Sequence, residues 1–163
     1  MASMAWILIR QVWLLAVLAG LAAPLFGQGE AGPAPPRTVV RDEAARQRLL
    51  GAHRFSLQWI SWESFGRAEV TEKDGTLSIR ASQRHEGGGD FIEMEGIILE
   101  VRPDAFIFQG RIVTQVSYIF GGQPCKREGT FTFRVTGKRK YWRLKEMQNP
   151  CDDVVDYVDV YFQ

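Results

Sequence analysis

Apolar and polar residues alternate along most of the chain from His53 onward. In a β-strand, such alternation places every second side chain on one face, so that one face is buried and the other meets water. Short turn-forming segments, such as Lys-Asp-Gly at 73–75, separate the alternating runs. The pattern predicts eight strands, at residues 54–62, 66–72, 76–82, 91–101, 105–119, 129–135, 140–147 and 154–162.

The two longest runs carry detail beyond simple alternation. In residues 91–101 the apolar phase changes at Gly96, which predicts a β-bulge at that glycine. In residues 105–119 one face collects large apolar and aromatic side chains, with Gly110 as a bend. The residues predicted on that face are Phe106, Phe108, Ile112, Val116 and Tyr118.

Residues 41–51 form the only helical candidate, because Asp42 and Glu43 favour a helix start and Gly51 a stop. Strands that follow one another through short turns predict an all-β fold. We expect an eight-stranded up-and-down antiparallel barrel with a short N-terminal helix, since closure removes exposed strand edges. A two-sheet β-sandwich is the alternative.

The connections between strands alternate between the two ends of such a barrel. Those after the second, fourth and sixth strands are tight, whereas most of those at the other end are longer. We therefore expect an open end that is framed by the longer loops. The loop residues that we place there as site candidates are Trp62, His85, Gln123 and Asp152.

Cys125 and Cys151 lie in two of these longer connections, so the topology places both at the open end. Two cysteines can pair only if the fold brings their backbones close together. In an exported chain an even pair of cysteines is typical of a disulfide. We predict a Cys125–Cys151 disulfide.

The first residues read as a targeting segment. An apolar run from Val12 to Phe26 has the length of a signal-peptide core and is short for a membrane span. We predict a signal peptide at 1–27, a Gly/Pro-rich linker at 28–38 and a single barrel domain at 39–163, with an uncleaved anchor as the alternative. The mature protein would then be exported to the periplasm or the extracellular space, without a stable membrane anchor.

The charges of the chain nearly balance, with 20 Lys plus Arg against 19 Asp plus Glu. This argues against non-specific nucleic-acid binding, which needs a basic excess. Neither the two cysteines nor His53 and His85 match a zinc spacing, and no phosphate loop or nucleophile motif is present. We predict no metal, no cofactor and no enzymatic activity; an enzyme centred on His85 is the weakest of three hypotheses.

A helical segment that ends in "LLGAH", eight meandering strands and one open end resemble the lipocalin or wider calycin barrels. The resemblance concerns architecture. The lipocalin Gly-x-Trp signature is absent, since His53 stands two positions after Gly51 and the nearest tryptophan is Trp59.

The inward face of the predicted barrel is apolar, and it can be a filled core or the wall of a pocket. Our first hypothesis is an exported, non-enzymatic cell-envelope protein that binds a small apolar ligand in or at the mouth of the barrel. The candidate ligand-binding residues are Trp59, Phe106, Phe108, Tyr118, Phe131 and Trp142.

The alternative is a protein-interaction or inhibitor-like module. It would use the open-end loops or an outer face that consists of Tyr141, Arg143, Tyr157 and Tyr161. Aromatic and arginine side chains are typical of interface hot spots, although cross-strand pairing with Asp159 also explains this outer pattern. The sequence leaves the partner and the oligomeric state open.

Overall fold

The computed structural model describes residues 35–163. The predicted signal peptide and the first part of the predicted linker, residues 28–34, lie outside the described residues. Within them, Thr76 Oγ1 donates to the Pro36 carbonyl at 3.1 Å, and Thr38 Oγ1 donates to the Ile98 carbonyl at 2.6 Å. Contacts with the barrel therefore extend to Pro36, three residues before the predicted domain boundary.

Eight antiparallel strands, β2 to β9, form a closed up-and-down barrel. Each strand pairs with the next, and β9 pairs with β2 to complete the ring. This confirms the predicted fold class, is consistent with a lipocalin-like architecture, and differs from the alternative sandwich. A two-residue strand, β1, adds to β5 in parallel. The elements are β1 Val39–Val40, α1 Glu43–Leu49, β2 Gly51–Leu57, β3 Gly66–Lys73, β4 Thr76–Arg84, β5 Phe91–Val101, β6 Ala105–Gln115, β7 Cys125–Arg134, β8 Tyr141–Leu144 and β9 Val158–Tyr161.

The helix α1 closes one end of the barrel, and it lies within the predicted segment. Asp42 caps it by accepting a hydrogen bond from the Ala45 amide at 2.6 Å. Ala45 and Leu49 are buried in the core. The buried His53 ring joins the helix to the barrel, since its nitrogens lie 2.8 Å from the carbonyl oxygens of Leu49 and Tyr161.

The strands β2 and β6 end earlier than the alternation predicts. The Ile60 amide donates to the Leu57 carbonyl, so the chain turns after Leu57 and Trp59 lies half-buried beyond the strand. The β6 strand ends at Gln115, and Tyr118 is 66% exposed. The prediction that Tyr118 shares the inner face with the β6 residues is therefore wrong, because a turn separates it from the strand.

The predicted bulge is displaced. Gly96 pairs with Gly110 in regular register, and the register shift lies between Ile98 and Glu100. The inward phase therefore continues through Gly96 to Ile98, which is fully buried, while Leu99 is only half-buried. The apolar pattern predicts the wrong position for the bulge because Gly96 has no side chain that would mark which face it occupies.

Two connections differ from the prediction. The β6–β7 loop is shifted toward the N-terminus without becoming shorter, because β6 already ends at Gln115 and Cys125 is the first residue of β7. The connection between β8 and β9 is longer, because these strands contain only Tyr141–Leu144 and Val158–Tyr161. Both cysteines nevertheless lie at the end opposite α1, and their disulfide is confirmed, with Cα atoms 5.9 Å apart. We call this the disulfide end.

A pair of glycines makes room for the buried ring of Phe108. A Cβ atom at Gly110 would lie 2.2 Å from the Glu95 carbonyl and 2.6 Å from the Phe108 ring. At Gly96 it would lie 2.6 Å from the same ring. The Phe108 ring therefore occupies the space that side chains at Gly96 and Gly110 would otherwise fill. The absence of these side chains also lets the β5 and β6 backbones lie close together at this point.

We expect Gly110→Ala to destabilise the barrel by about 3 kcal/mol, because a backbone oxygen and a buried ring must both move. Gly137→Ala is the matched control, since a Cβ atom at Gly137 meets nothing within 4 Å. This variant should lose only about 1 kcal/mol of unfolding free energy, because alanine disfavours the positive φ of 63° at this position. Urea denaturation measures both free energies of unfolding. Equal losses in the two variants would contradict the packing argument.

Candidate functional site

The barrel interior is filled by aromatic side chains. Phe106 stacks on Phe133 with ring centroids 4.9 Å apart, and Phe108 stacks on Phe131 at 6.0 Å. Trp142 meets Phe106 edge-on at 5.8 Å. Four of the predicted ligand-binding residues are therefore core residues that contact one another: Phe106, Phe108, Phe131 and Trp142.

A small, partly enclosed space remains under the disulfide end, and it measures about 10 Å³. A ligand pocket needs about 300 Å³ or more, so this space suits at most one water molecule. Other concavities around the described residues are open grooves at the surface. The one beside His85 and Glu63 holds about 510 Å³.

The β6–β7 loop crosses the mouth that the sequence predicts to be open. This loop and the β2–β3 connection lie on opposite sides of the ring of strands, yet the Tyr118 hydroxyl donates to the Trp59 carbonyl at 2.8 Å. Ile119, in the same loop, is buried in the core. The barrel is therefore covered at the disulfide end as well as at the helix end.

A buried ion pair lies beneath this cover. Arg127 Nη2 lies 3.2 Å from the Asp156 carboxylate, and both side chains are almost completely buried. Trp59 Nε1 and Asn149 Nδ2 also donate to that carboxylate, at 3.1 and 3.0 Å. Burial raises the pKa of Asp156 and lowers that of Arg127, while their mutual attraction opposes both shifts. The pair and its hydrogen bonds join the β2–β3 connection, β7 and the β8–β9 connection.

A buried glutamine fixes the β2–β3 connection. Gln83 Oε1 accepts from the Leu57 amide at 2.7 Å. Its Nε2 donates to the carbonyls of Ser61, at 3.3 Å, and Ser64, at 2.8 Å. These two serines flank Trp62, so a strand side chain holds the loop that carries this tryptophan.

Two further contacts fix the β6–β7 loop. The Phe120 amide donates to Asp152 at 2.6 Å, and the Ser117 amide donates to Asp90 at 2.8 Å. Phe120 has a φ of +50°, which is unusual for a residue other than glycine. The contacts of the loop therefore hold the Phe120 backbone in a left-handed conformation that a residue with a side chain rarely adopts.

The outer wall of β3 to β7 pairs its own charges. Five residues of alternating sign lie opposite one another in a row across these strands. Arg80 contacts Glu95 at 2.8 Å. The arrangement is the cross-strand pairing that stabilises sheets, and it explains the wall without a ligand. The row is Glu69, Arg80, Glu95, Arg111 and Glu128.

The predicted interaction face of Tyr141, Arg143, Tyr157 and Tyr161 packs against itself. Arg143 forms two hydrogen bonds, of 2.7 and 2.6 Å, with the fully buried Asp159. Its guanidinium lies over the rings of Tyr157 and Tyr141, at 4.3 and 5.1 Å. These four predicted residues are half-buried around the carboxylate, so cross-strand pairing accounts for the face.

Exposed aromatic side chains concentrate at the disulfide end. Trp62 is 52% exposed, Phe120 is 44% exposed, and Tyr118 is also exposed, as described above. Their loops are joined to the barrel and to one another by the contacts above. We call these three residues the aromatic rim. Only Trp62 belongs to the loop residues that the sequence singles out; Tyr118 is predicted inside, and Phe120 is missed because no periodic pattern covers the loop.

The other predicted loop residues also lie at this end. His85 is exposed, and its Nδ1 accepts from the Gly87 amide at 3.1 Å. Gln123 is exposed beside the mouth, and Asp152 holds Phe120 as described. Among residues 35–163, no three His, Cys, Asp or Glu side chains are placed to hold a metal ion. In the same part of the chain, no helix has the length and apolar character that a membrane span requires.

We expect Asp156→Ala to destabilise the protein by about 3–5 kcal/mol, because it leaves the Arg127 guanidinium buried without its partner. The double variant Arg127→Met/Asp156→Leu should lose less free energy of unfolding than the sum of the losses in its single variants Arg127→Met and Asp156→Leu. Asp153→Ala, at an exposed neighbouring position, is the control and should change the free energy of unfolding by less than about 0.5 kcal/mol. Urea denaturation measures each of these variants, and strict additivity in the cycle would refute the coupling.

Comparison with known proteins gives a family and one relative. Residues 37–162 match the model of the PM1083 family. The chain is 46% identical over 115 residues to the uncharacterized protein PM1083 of Pasteurella multocida (strain Pm70), which covers 71% of this chain and 74% of that protein. No solved structure matches the chain. The family model spans nearly all of the barrel, and the chain therefore belongs to the PM1083 family.

Proposed function

We propose that this chain is an exported, non-enzymatic protein of the cell envelope that binds another protein through the aromatic rim. One observation carries the proposal: Trp62, Tyr118 and Phe120 remain exposed on loops that hydrogen bonds and a disulfide hold in place. Export is supported by the apolar N-terminal run and by the disulfide, since disulfides persist in oxidising compartments.

The rim has the properties of a binding surface. Exposed aromatic residues dominate the energy of protein interfaces, especially where they are ordered before binding. The side chain of Gln83 and the carboxylates of Asp90 and Asp152 supply that order, because each bonds to the backbone of a rim loop. Binding would therefore order few additional groups.

The hypothesis of a small apolar ligand inside a lipocalin-like barrel has less support. Phe106, Phe108 and Trp142 occupy the space that such a ligand would need, and the partly enclosed space under the disulfide end measures about 10 Å³. The outer face around Tyr141 also has less support than the rim, since Arg143 and Asp159 already contact its aromatic groups.

A photo-crosslinking residue in place of Phe120 tests the proposal in the cells that produce the protein. We expect irradiation to give a discrete crosslinked species at Phe120. The same residue in place of Arg111, on the self-paired outer wall, is the control and should give none. Crosslinks of equal yield at both positions, or none at Phe120, would contradict a rim-specific partner.

A further inference from the structure

We infer that the aromatic rim binds a cationic segment of its partner, a stretch of polypeptide rich in lysine or arginine. The inference rests on the proposed function and specifies the partner's chemistry. It combines the exposure of Trp62, Tyr118 and Phe120 with the charges of the loops that carry them.

The loops that carry or border the aromatic rim, which we call the rim loops, are charged mainly with one sign. The segments 58–65, 85–90, 116–124 and 147–155 contain no lysine or arginine; Lys145 lies before the last of them, next to β8. The charged residues of these segments are all carboxylates: Glu63, Glu86, Asp90, Asp152 and Asp153. A partner with positive charge would therefore meet carboxylates in three of the four segments, around the uncharged segment 116–124.

These carboxylates also lack cationic partners within residues 35–163. None forms an ion pair there, although Asp90 and Asp152 accept hydrogen bonds from backbone amides. On the barrel wall the situation is reversed, since Glu69, Glu95 and Glu128 each contact a cation. Unpaired negative charge is thus concentrated beside the exposed aromatic groups.

The aromatic groups add a second attraction for the same chemistry. Lysine and arginine side chains bind the faces of aromatic rings, and a carboxylate close by attracts the same cation. Trp62 precedes Glu63 in the chain, and the Phe120 amide bonds to Asp152. Each rim loop that presents a ring therefore presents it next to a carboxylate.

A fluorescein-labelled decalysine peptide tests this inference, with anisotropy as the readout and protein purified from an oxidising compartment. We expect wild-type protein to bind it at low ionic strength and to release it as salt increases. The rim variant Glu63→Gln/Glu86→Gln/Asp153→Asn should bind at least about tenfold more weakly.

The wall variant Glu69→Gln/Glu95→Gln/Glu128→Gln is the matched control, because it changes the net charge by the same amount. It should bind decalysine within about twofold of wild type. The variant Trp62→Ala/Phe120→Ala keeps all charges and should bind about fivefold more weakly. Unfolding in urea checks that each variant is folded.

Three outcomes would overturn the inference. One is that the rim and wall variants weaken decalysine binding equally, which would mean that the peptide is attracted by net charge alone. Another is absence of wild-type binding while the Phe120 crosslink still forms, which keeps the docking site but excludes a cationic partner. The third is self-association that Lys138→Glu abolishes, because Lys138 lies with Arg139 and Lys140 in the exposed β7–β8 turn, the basic segment that a second copy could offer; this result would assign the rim to a second copy of this chain. Loss of the Phe120 crosslink would instead reject the proposed function.

Discussion

The disulfide end of the barrel depends on one buried carboxylate. Asp156 accepts hydrogen bonds from Trp59 and Asn149 and pairs with Arg127. An ionised group in this position is stable only because several donors surround it. The same contacts hold together three segments that are distant in sequence, and one of them, the β2–β3 connection, carries Trp62. The order of that loop therefore depends on electrostatics beneath it, whereas the β6–β7 loop is held by hydrogen bonds to Asp90, Asp152 and the Trp59 carbonyl.

Much of the barrel could be predicted because alternation is a local property. Phe131 and Phe133 face inward simply because each lies two residues from the next inward position. The meander then assigns Cys125 and Cys151 to one end without any knowledge of distances, and their disulfide agrees with that topology. Pairing in the outer wall is equally local, since Arg143 and Asp159 face each other in adjacent strands.

The rest depends on contacts that no periodic pattern records. The displaced bulge is one example: the Phe108 ring of the neighbouring strand lies where a side chain at Gly96 would be, and the register shift lies between Ile98 and Glu100 instead. The cover of the mouth depends on a hydrogen bond between Tyr118 and the Trp59 carbonyl, which are 59 residues apart in sequence. A run that alternates up to Tyr118 gives no sign that the strand has already ended. The candidate site was therefore only partly predictable: its loops follow from topology, but its exposed rings do not.

The fold restricts where this protein can act. Aromatic side chains fill the interior, so Phe106 and Trp142 are committed to the core. Cross-strand charges occupy much of the outer wall, and pairs such as Arg80 and Glu95 satisfy each other. The loops of the disulfide end differ from both regions, because they combine exposed rings with carboxylates that form no ion pair within residues 35–163. Tyr118, Asp90 and Asp152 also fix the loops through hydrogen bonds. The exposed rings of Trp62 and Phe120 and the carboxylates of Glu63, Glu86 and Asp153 contribute less to the stability of the domain, which is why we propose a partner for them.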